Sequence, residues 1–495
     1  VTLPFPILII IVPLITAFFI PVVGWWRKGL CYPLVNLALS VSVVSSVAIL
    51  HMVGEQGTIR YYLGSWDPPW GIEYAIDHLN AFMAVIVSVI SLIVAISSKR
   101  SVERELPQKI VFFYSLFLLQ VTGLLGIVVT GDMFNLYVFL EIASLAGYAL
   151  IAIGEDGAPF ASFNYMIYGT IGACFYLLSV GYLYVVTGSL NMADLSRILP
   201  DLYHSKVVLM AFAFFIVGVG LKMALFPLHV WLPDAYTYAP SAVSALVAPL
   251  MTKVGAYVLI RIIFTVFKPS FSTAVIPATT ILSWVAVIAI LFGCILALGQ
   301  TDLKRMLAYV LIAEVGYIAL GVGLANKAGL TGAILHILND ALMMACLFLV
   351  VGAILYKVGL RNVHQFRYLH RKMPITMGAF TITALSVIGI PPTCGFFSKW
   401  YLVLGAISAH RWFFAAILLL SSLLNAILFF RVIENAYFEP ADAHNGGGHE
   451  EISKDEAPLS MLIPILIVTA GILSLGILSG KIISSIIQFA VPPGL

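Results

Sequence analysis

The chain has 495 residues, of which 61% are hydrophobic and only 10% charged, with a mean hydropathy of +1.05. A water-soluble domain carries about 25% charged residues, so a single aqueous core cannot hide this much apolar surface and the bilayer is the expected solvent. The 26 basic and 23 acidic side chains leave a formal charge of +3, which offers no basic stripe for nucleic acid and predicts no such partner.

A helix needs about 20 mostly apolar residues to cross a hydrocarbon layer roughly 30 Å thick. Fourteen such segments are predicted, over 5–23, 31–52, 79–97, 110–130, 133–153, 163–186, 206–231, 240–266, 277–299, 306–325, 329–356, 376–402, 410–437 and 460–480. Their long continuous runs, without strict alternation, exclude a spanning β-barrel. The opening run LPFPILIIIVPLITAFFIPVVG lacks the basic start and small-residue cleavage site of a signal peptide and reads as the first span. Cys31, Cys174, Cys294, Cys346 and Cys394 stand alone in apolar stretches. Without zinc or iron–sulfur spacing they predict no metal site, redox centre or other cofactor. The segment PADAHNGGGHEEISKDEA, between the last two spans, is the one low-complexity stretch and is expected to be a mobile cytoplasmic loop.

Loops rich in Lys and Arg stay cytoplasmic. Odd-numbered loops hold fourteen of these residues, Lys304 and Arg305 among them, and even-numbered loops six, which predicts that both termini face outside. Six more bases fall within spans: Lys222, Lys253, Arg261, Lys399, Arg431 and Lys481. Arg261, Arg431 and Lys481 lie close enough to helix ends to be expected to snorkel into headgroups.

The remaining three lysines demand another account, because Lys at mid-helix costs on the order of 2.5–3.5 kcal/mol on insertion scales. Lys222, in IVGVGLKMALFPLHVWLP, precedes Pro227, whose ring breaks a helix and frees the carbonyl of Met223. Lys253 follows Pro249, which frees the carbonyl of Ala245. Lys399 follows Pro391 and Pro392, with Gly395 expected to loosen the twelfth span further. Interrupted helices at corresponding places in two halves point to an ion pathway. Glu141 sits mid-span, and a carboxylate buried there is most cheaply kept by a nearby cation, for which Lys222 is the candidate. Glu314 and Asp340 also fall in spans, and His336 lies one turn before Asp340 on the same face. His229, in the PLHVWLP run, is a further pathway candidate. No nucleophile elbow, phosphate-cradling loop or HExxH accompanies them, so no catalytic centre is expected in this chain and ion movement is the remaining chemistry.

The strings GDMFNLYVFLEIASLAGYAL, GLKMALFPLHVWLPDAYTYAPSAVSALVAPLMTKVGAYVLIR, TDLKRMLAYVLIAEVGYI, HILNDALMMACLFLVVGAI and GIPPTCGFFSKWYL resemble the antiporter-like subunits shared by Mrp-type sodium/proton antiporters, membrane-bound group 4 hydrogenases and respiratory complex I. The likeness runs from about residue 110 to 435, and the K-x4-P-L-H-x-W-L-P-D-A run is its most specific part. It implies an all-α polytopic subunit of about fourteen helices with two inverted five-helix repeats, 110–266 and 277–437, and discontinuous helices 7 and 12. A three-helix segment, 1–109, precedes them; a cytoplasmic loop and helix 14, 438–495, follow.

By motif position Glu141 resembles the family's helix-5 glutamate, Lys222 the helix-7 lysine that pairs with it, Lys253 the central helix-8 lysine, His336 the helix-11 histidine and Lys399 the helix-12 lysine. Asp340 and Met344 stand where many relatives carry a second histidine and a lysine, and Glu314 where they carry a neutral polar residue or histidine. The expectation is that Glu314 or Asp340 balances Lys399 or lines a cation route. LYVFLEI and the lysine at 399 favour an Mrp D-type or hydrogenase H-type subunit, and the short stretch after the last span argues against the complex I subunit with a long lateral helix.

The resemblance implies proton or Na+/H+ translocation by one subunit of a multisubunit Mrp-type antiporter or related redox complex in a prokaryotic plasma membrane. Small Mrp-like subunits, or a hydrogenase or quinone-reductase arm, are the implied partners. The alternatives are a non-transporting scaffold subunit, and a secondary transporter for an organic solute.

Overall fold

Segments this apolar must satisfy every backbone N–H and C=O internally once in hydrocarbon, and helices do so. The computed structural model describes residues 5–438, 454–492 and 495. Among these residues twelve helices are long and apolar enough to cross a membrane. In chain order the first six are α1 (Phe5–Trp26), α2 (Cys31–Gln56), α3 (His78–Glu105), α4 (Ile110–Val129), α5 (Met133–Ala152) and α6 (Ala158–Thr187).

The predicted seventh span, 206–231, is helical only as α7 (Lys206–Lys222), and a second short helix, α8 (Leu232–Tyr238), begins just past its predicted end. Then come α9 (Ser241–Ile260), α10 (Ala278–Leu298), α11 (Leu303–Gly323) and α12 (Lys327–Lys357). The predicted twelfth span is split, into α13 (Pro374–Ile388) and α14 (Cys394–Ser408), before α15 (Trp412–Tyr437) and α16 (Leu459–Ile482).

The breaks differ in detail from the proline reading. α7 already ends at Lys222, and Trp231 Nε1 turns back to donate to the Leu221 carbonyl at 3.0 Å. α13 ends at Gly389, whose φ of +94° only glycine adopts without strain. Gly395 lies inside α14 and abuts the Ser386 backbone, so it permits close approach of the two half-helices rather than loosening either. Helix α9 runs unbroken through Pro249.

The centre of the bundle is α9, α11 and α12, which are buried along almost their whole length. By contrast α1, α2 and α6 turn Phe18, Phe19, Val44, Phe160 and Val185 outward. Between α2 and α3 the chain makes an antiparallel hairpin, β1 (Ile59–Tyr62) with β2 (Glu73–Ile76). Its buried Glu73 accepts from Arg60 at 2.9 and 3.0 Å and from Asn191 at 2.7 Å, and Tyr74 bridges to Thr130. The hairpin thereby ties together three connections on one face of the bundle.

One pattern occurs twice. At the hairpin face Asp132 caps α5, and the Met133 and Met192 N–H groups donate to the Leu190 and Gly131 carbonyls, both at 2.9 Å. Asp302 caps α11, and the Leu303 and Val363 N–H groups donate to the Arg361 and Thr301 carbonyls, again both at 2.9 Å. This second set lies on the opposite face, where Arg361 shares a cavity with Glu105, Asp156 and Ser241.

Two arginines expected to snorkel do not. Arg261 is buried against Asp77, and Arg431 donates to the Leu298 and Gln300 carbonyls at 2.6 and 2.8 Å, closing the C-terminal end of α10. Lys481 is exposed. Lys304, counted as a loop base, is buried and donates to the Ala239 carbonyl at the end of α8. Most of the expected cytoplasmic loop, through residue 453, lies outside the described residues. Its last part is held, with Asp455 on Lys357 and Glu456 accepting from Thr376 Oγ1 at 2.7 Å.

Without a strong hydrophobic drive between helices in lipid, close backbone contact at small residues sets the packing. A Cβ at Gly123 of α4 would meet the Ala143 backbone nitrogen of α5 at 2.5 Å, while one at Gly471 would meet nothing within 4 Å. Gly123→Val is therefore expected to lower the thermal stability of the purified protein by about 1–3 kcal/mol, and Gly471→Val to leave it unchanged, as read by tryptophan fluorescence in detergent.

Candidate ion-translocation site

Helix α5 begins at the Asp132 cap, which accepts from Asn135 N–H at 2.7 Å, and this start sets Glu141 two and a half turns into the span with Ser144 on the same face. Lys222, the last residue of α7, reaches both. Its Nζ lies 3.3 Å from Glu141 Oε1 and donates to Ser144 Oγ at 2.7 Å. Ending α7 there puts the ammonium at the negative pole of the helix dipole.

Lys253, fully buried on α9, places Nζ 2.6 Å from Asp340 Oδ2 and donates to the Ala248 carbonyl at 3.1 Å. The Ala245 carbonyl that Pro249 frees is not its partner. Asp340 belongs to α12, and one turn earlier on that helix His336 sits 2.9 Å from Glu314 Oε2 of α11 through Nε2 and 2.9 Å from Ser398 Oγ of α14 through Nδ1. No donor among the described residues reaches Asp340 Oδ1 or Glu314 Oε1, and carboxylate oxygens this deep call for a proton or a water.

Lys399 follows Ser398 on α14. Its Nζ donates to the Val387 carbonyl in the last turn of α13 at 2.6 Å and stands 4.6 Å from the centre of the Tyr317 ring. The same ring meets His336 edge-on at 5.3 Å, and its hydroxyl is 2.7 Å from Ser421 Oγ. The expected balancing of Lys399 by Glu314 or Asp340 is not a contact pair among the described residues. Asp340 pairs with Lys253 and Glu314 with His336, because α12 turns one group toward α9 and the other toward α11.

Between the Lys222 cluster and α9 lies a cavity of about 20 Å³ lined by Ser144, Lys222, Met251, Val254 and Gly255 among others, room for about one water. His229 is not drawn into this set. It lies in the 223–231 stretch between α7 and α8, stacked on Phe226 and edge-on to Phe292 with ring centres 5.4 and 5.3 Å away. Ser144, Ser398 and Tyr317 were missed from sequence. Ser144 was detectable, lying three residues after Glu141 on a helix, whereas the other two contacts depend on how α11, α12 and α14 pack.

Fold and site together define a polytopic all-helical membrane subunit whose interior holds paired ionisable side chains beside interrupted helices. The family described as NADH:quinone oxidoreductase/Mrp antiporter, TM, matches residues 130–425, and the chain belongs to that family. It is 47% identical over 498 residues, covering 98% of each chain, to NADH-quinone oxidoreductase subunit N of Desulforudis audaxviator. It is 31% identical to the D-type subunit of the Na(+)/H(+) antiporter of Bacillus subtilis, over 88% of this chain and 87% of that one.

Among solved structures, the membrane-bound sulfane sulfur reductase, an archaeal respiratory membrane complex, superposes with a TM-score of 0.89 at 30% identity, covering 98% of this chain and 96% of that one. The Mrp complex from Dietzia sp. gives 0.88 at 26% identity with the same coverage. The chain is thus an antiporter-like subunit of multisubunit membrane complexes. The leaning toward an Mrp D-type or hydrogenase H-type subunit meets a 47% identical relative named for a quinone oxidoreductase, so the motifs behind that leaning do not separate the subfamilies.

Removing one member of a buried ion pair leaves the other uncompensated and costs about 3–5 kcal/mol. Asp340→Asn is expected to destabilise the purified protein on that scale. Combining it with Lys253→Met, which removes the orphaned cation, is expected to recover most of the loss. Thermal unfolding of the two single variants and the double variant reads the coupling directly.

Proposed function

We propose that this subunit translocates protons, alone or in exchange for Na+, along Glu141, Lys222, Lys253, Asp340, His336, Glu314 and Lys399. The observation that carries the reading is α12: Asp340 and His336, one turn apart, engage Lys253 on one side and Glu314 with Ser398 on the other. A single helix therefore hands the line of ionisable groups from the first half of the chain to the second. Such groups in a packed core, beside freed helix ends, are costly to keep and mark ion routes.

In this account the cycle starts at the edge. The Glu141 side chain is 23% exposed on the outside of the bundle, and a carboxylate does not face lipid unaided. A neighbouring membrane subunit covers it and opens the Glu141–Lys222 pair. The uncompensated charge on Lys222 then repels that on Lys253 and favours transfer of a Lys253 proton across 2.6 Å to Asp340. Transfer onward runs through His336 and Glu314 to Lys399 by way of buried water. The division into repeats 110–266 and 277–437 is supported by the doubled backbone contacts at Asp132 and Asp302 on opposite faces. The excess of Lys and Arg in the odd-numbered loops supports a cytoplasmic position for the face opposite the hairpin, with both termini outside.

In proteoliposomes containing the purified parent complex, Lys222→Ala is expected to abolish coupled flux while the complex still assembles. Glu314→Gln is expected to cut flux sharply, since the fully buried His336 then loses its counter-charge. A scaffold would transport normally in both variants, and that result would end this reading.

A further inference from the structure

Lys253, Tyr257 and Arg261 recur every fourth residue and so share one face of α9 and its continuation. Tyr257 donates its hydroxyl to the Val128 carbonyl at 2.8 Å and accepts from Arg261 Nε at 3.0 Å. The Arg261 guanidinium forks onto Asp77, with Nη1 to Oδ2 at 2.6 Å and Nη2 to Oδ1 at 2.5 Å, the planar two-bond geometry that Arg makes with a carboxylate. Asp77 caps α3 and also accepts from the Leu79 and Asn80 N–H groups. Burial pushes its carboxyl up, but the charge and hydrogen bonds of Arg261 and the two amides outweigh burial and hold it below the usual carboxylate range.

Beyond this pair a cavity of about 600 Å³ opens at the hairpin face, its wall including Asp77, His78, Arg261, Phe264, Lys268 and Phe489. From Lys253 to Arg261 is eight residues, a rise of about 12 Å. Residues Arg261–Val266 are wound with π-type hydrogen bonds, a local widening that recurs at functional sites. As a mere clip between α9 and α3 the pair would need neither a wide cavity beside it nor π-type winding at its arginine.

We propose that this cavity is an ion port, joining water at the hairpin face to Lys253 through Tyr257, with the Arg261–Asp77 pair as its gate. Arg261 keeps its proton throughout, so it relays none. Bound to Asp77 it presents no net charge; released, it repels a cation in the port. The Tyr257 hydroxyl both donates and accepts. With Arg261 still on Asp77, the Tyr257 hydroxyl turns from the Val128 carbonyl to a cavity water, gives that water its proton and takes one from the Lys253 side on its free lone pair, so the ring ends neutral. The port rests on the reading that Lys253 carries protons.

The test uses the purified parent complex in proteoliposomes, with this subunit carrying Cys174→Ser, because Cys174 is the exposed cysteine and the other four are buried. Thr265→Cys or Ser196→Cys, both on the cavity wall, is then modified with a methylating thiosulfonate or with a bulky, membrane-impermeant one, and labelling is verified by mass. Unmodified and methylated proteins are expected to transport like the parent, and the bulky label to remove most of the flux at both positions. Lys253→Met is measured alongside. If it transports normally, the reading of Lys253 fails. If it is inactive while both fully bulky-labelled variants still transport at the parent rate, the port alone is overturned.

Discussion

A charge at bilayer depth without a partner is the state this fold is built to avoid. Each buried lysine of the site has its ammonium on a carboxylate, a backbone carbonyl, or both. The broken helices follow from this requirement. Within unbroken α9, Lys253 can only share the Ala248 carbonyl, whereas the end of α13 offers Lys399 the Val387 oxygen, and the end of α7 places Lys222 itself at a negative pole. The interruptions at 223–231 and 389–393 thus act as internal solvent for cations that lipid cannot hold.

The same requirement explains why α9, α11 and α12 occupy the centre. They carry Lys253, Glu314, His336 and Asp340, all at or near zero exposure, and the helices around them exclude lipid from those groups. α12 is the hinge of the arrangement because a helix period of 3.6 residues lets positions 336 and 340 share a flank while engaging different neighbours. A dry core of ordinary apolar residues would be cheaper to fold. Four titratable groups where leucine would serve cost stability, a cost that the proposed movement of charge accounts for.

Much of this was legible in the chain. Spans came from continuous apolar runs, the two breaks from prolines beside lysines, and the Glu141–Lys222 juxtaposition from the need of a mid-span acid for a cation. Partner choice among the remaining groups was not legible. Charge alone left open whether Glu314 or Asp340 would stand beside Lys399; the rotation of α12 between α9 and α11 sets the contact partners, and no local pattern encodes that rotation. Arg261 misled for a similar reason. Near a helix end it looks like a snorkelling residue, and only the return of the chain from the hairpin to Asp77 buries it. The cap at Asp77, with Asn80 three residues on, carries no local sign that its carboxylate also receives an arginine.

Magnitudes separate the pairs by role. Moving one charge through 100 mV is worth about 2.3 kcal/mol, less than the roughly 3–5 kcal/mol lost when a buried pair is left half-empty. In the proposed route a membrane potential of that size does not pull Lys253 from Asp340, and charge crosses there by proton transfer within the 2.6 Å contact, which neutralises both groups at once and separates neither. The Glu141–Lys222 pair is different. At 3.3 Å, with its acid partly exposed on the bundle surface and a serine hydroxyl ready to hold the lysine, it can open at lower cost when a neighbouring subunit supplies a new partner for the carboxylate. On the proposed reading the switch therefore belongs at the edge of the subunit and the conductor in its core, and the small cavity between Lys222 and α9 lies where the opening of one would be felt by the other.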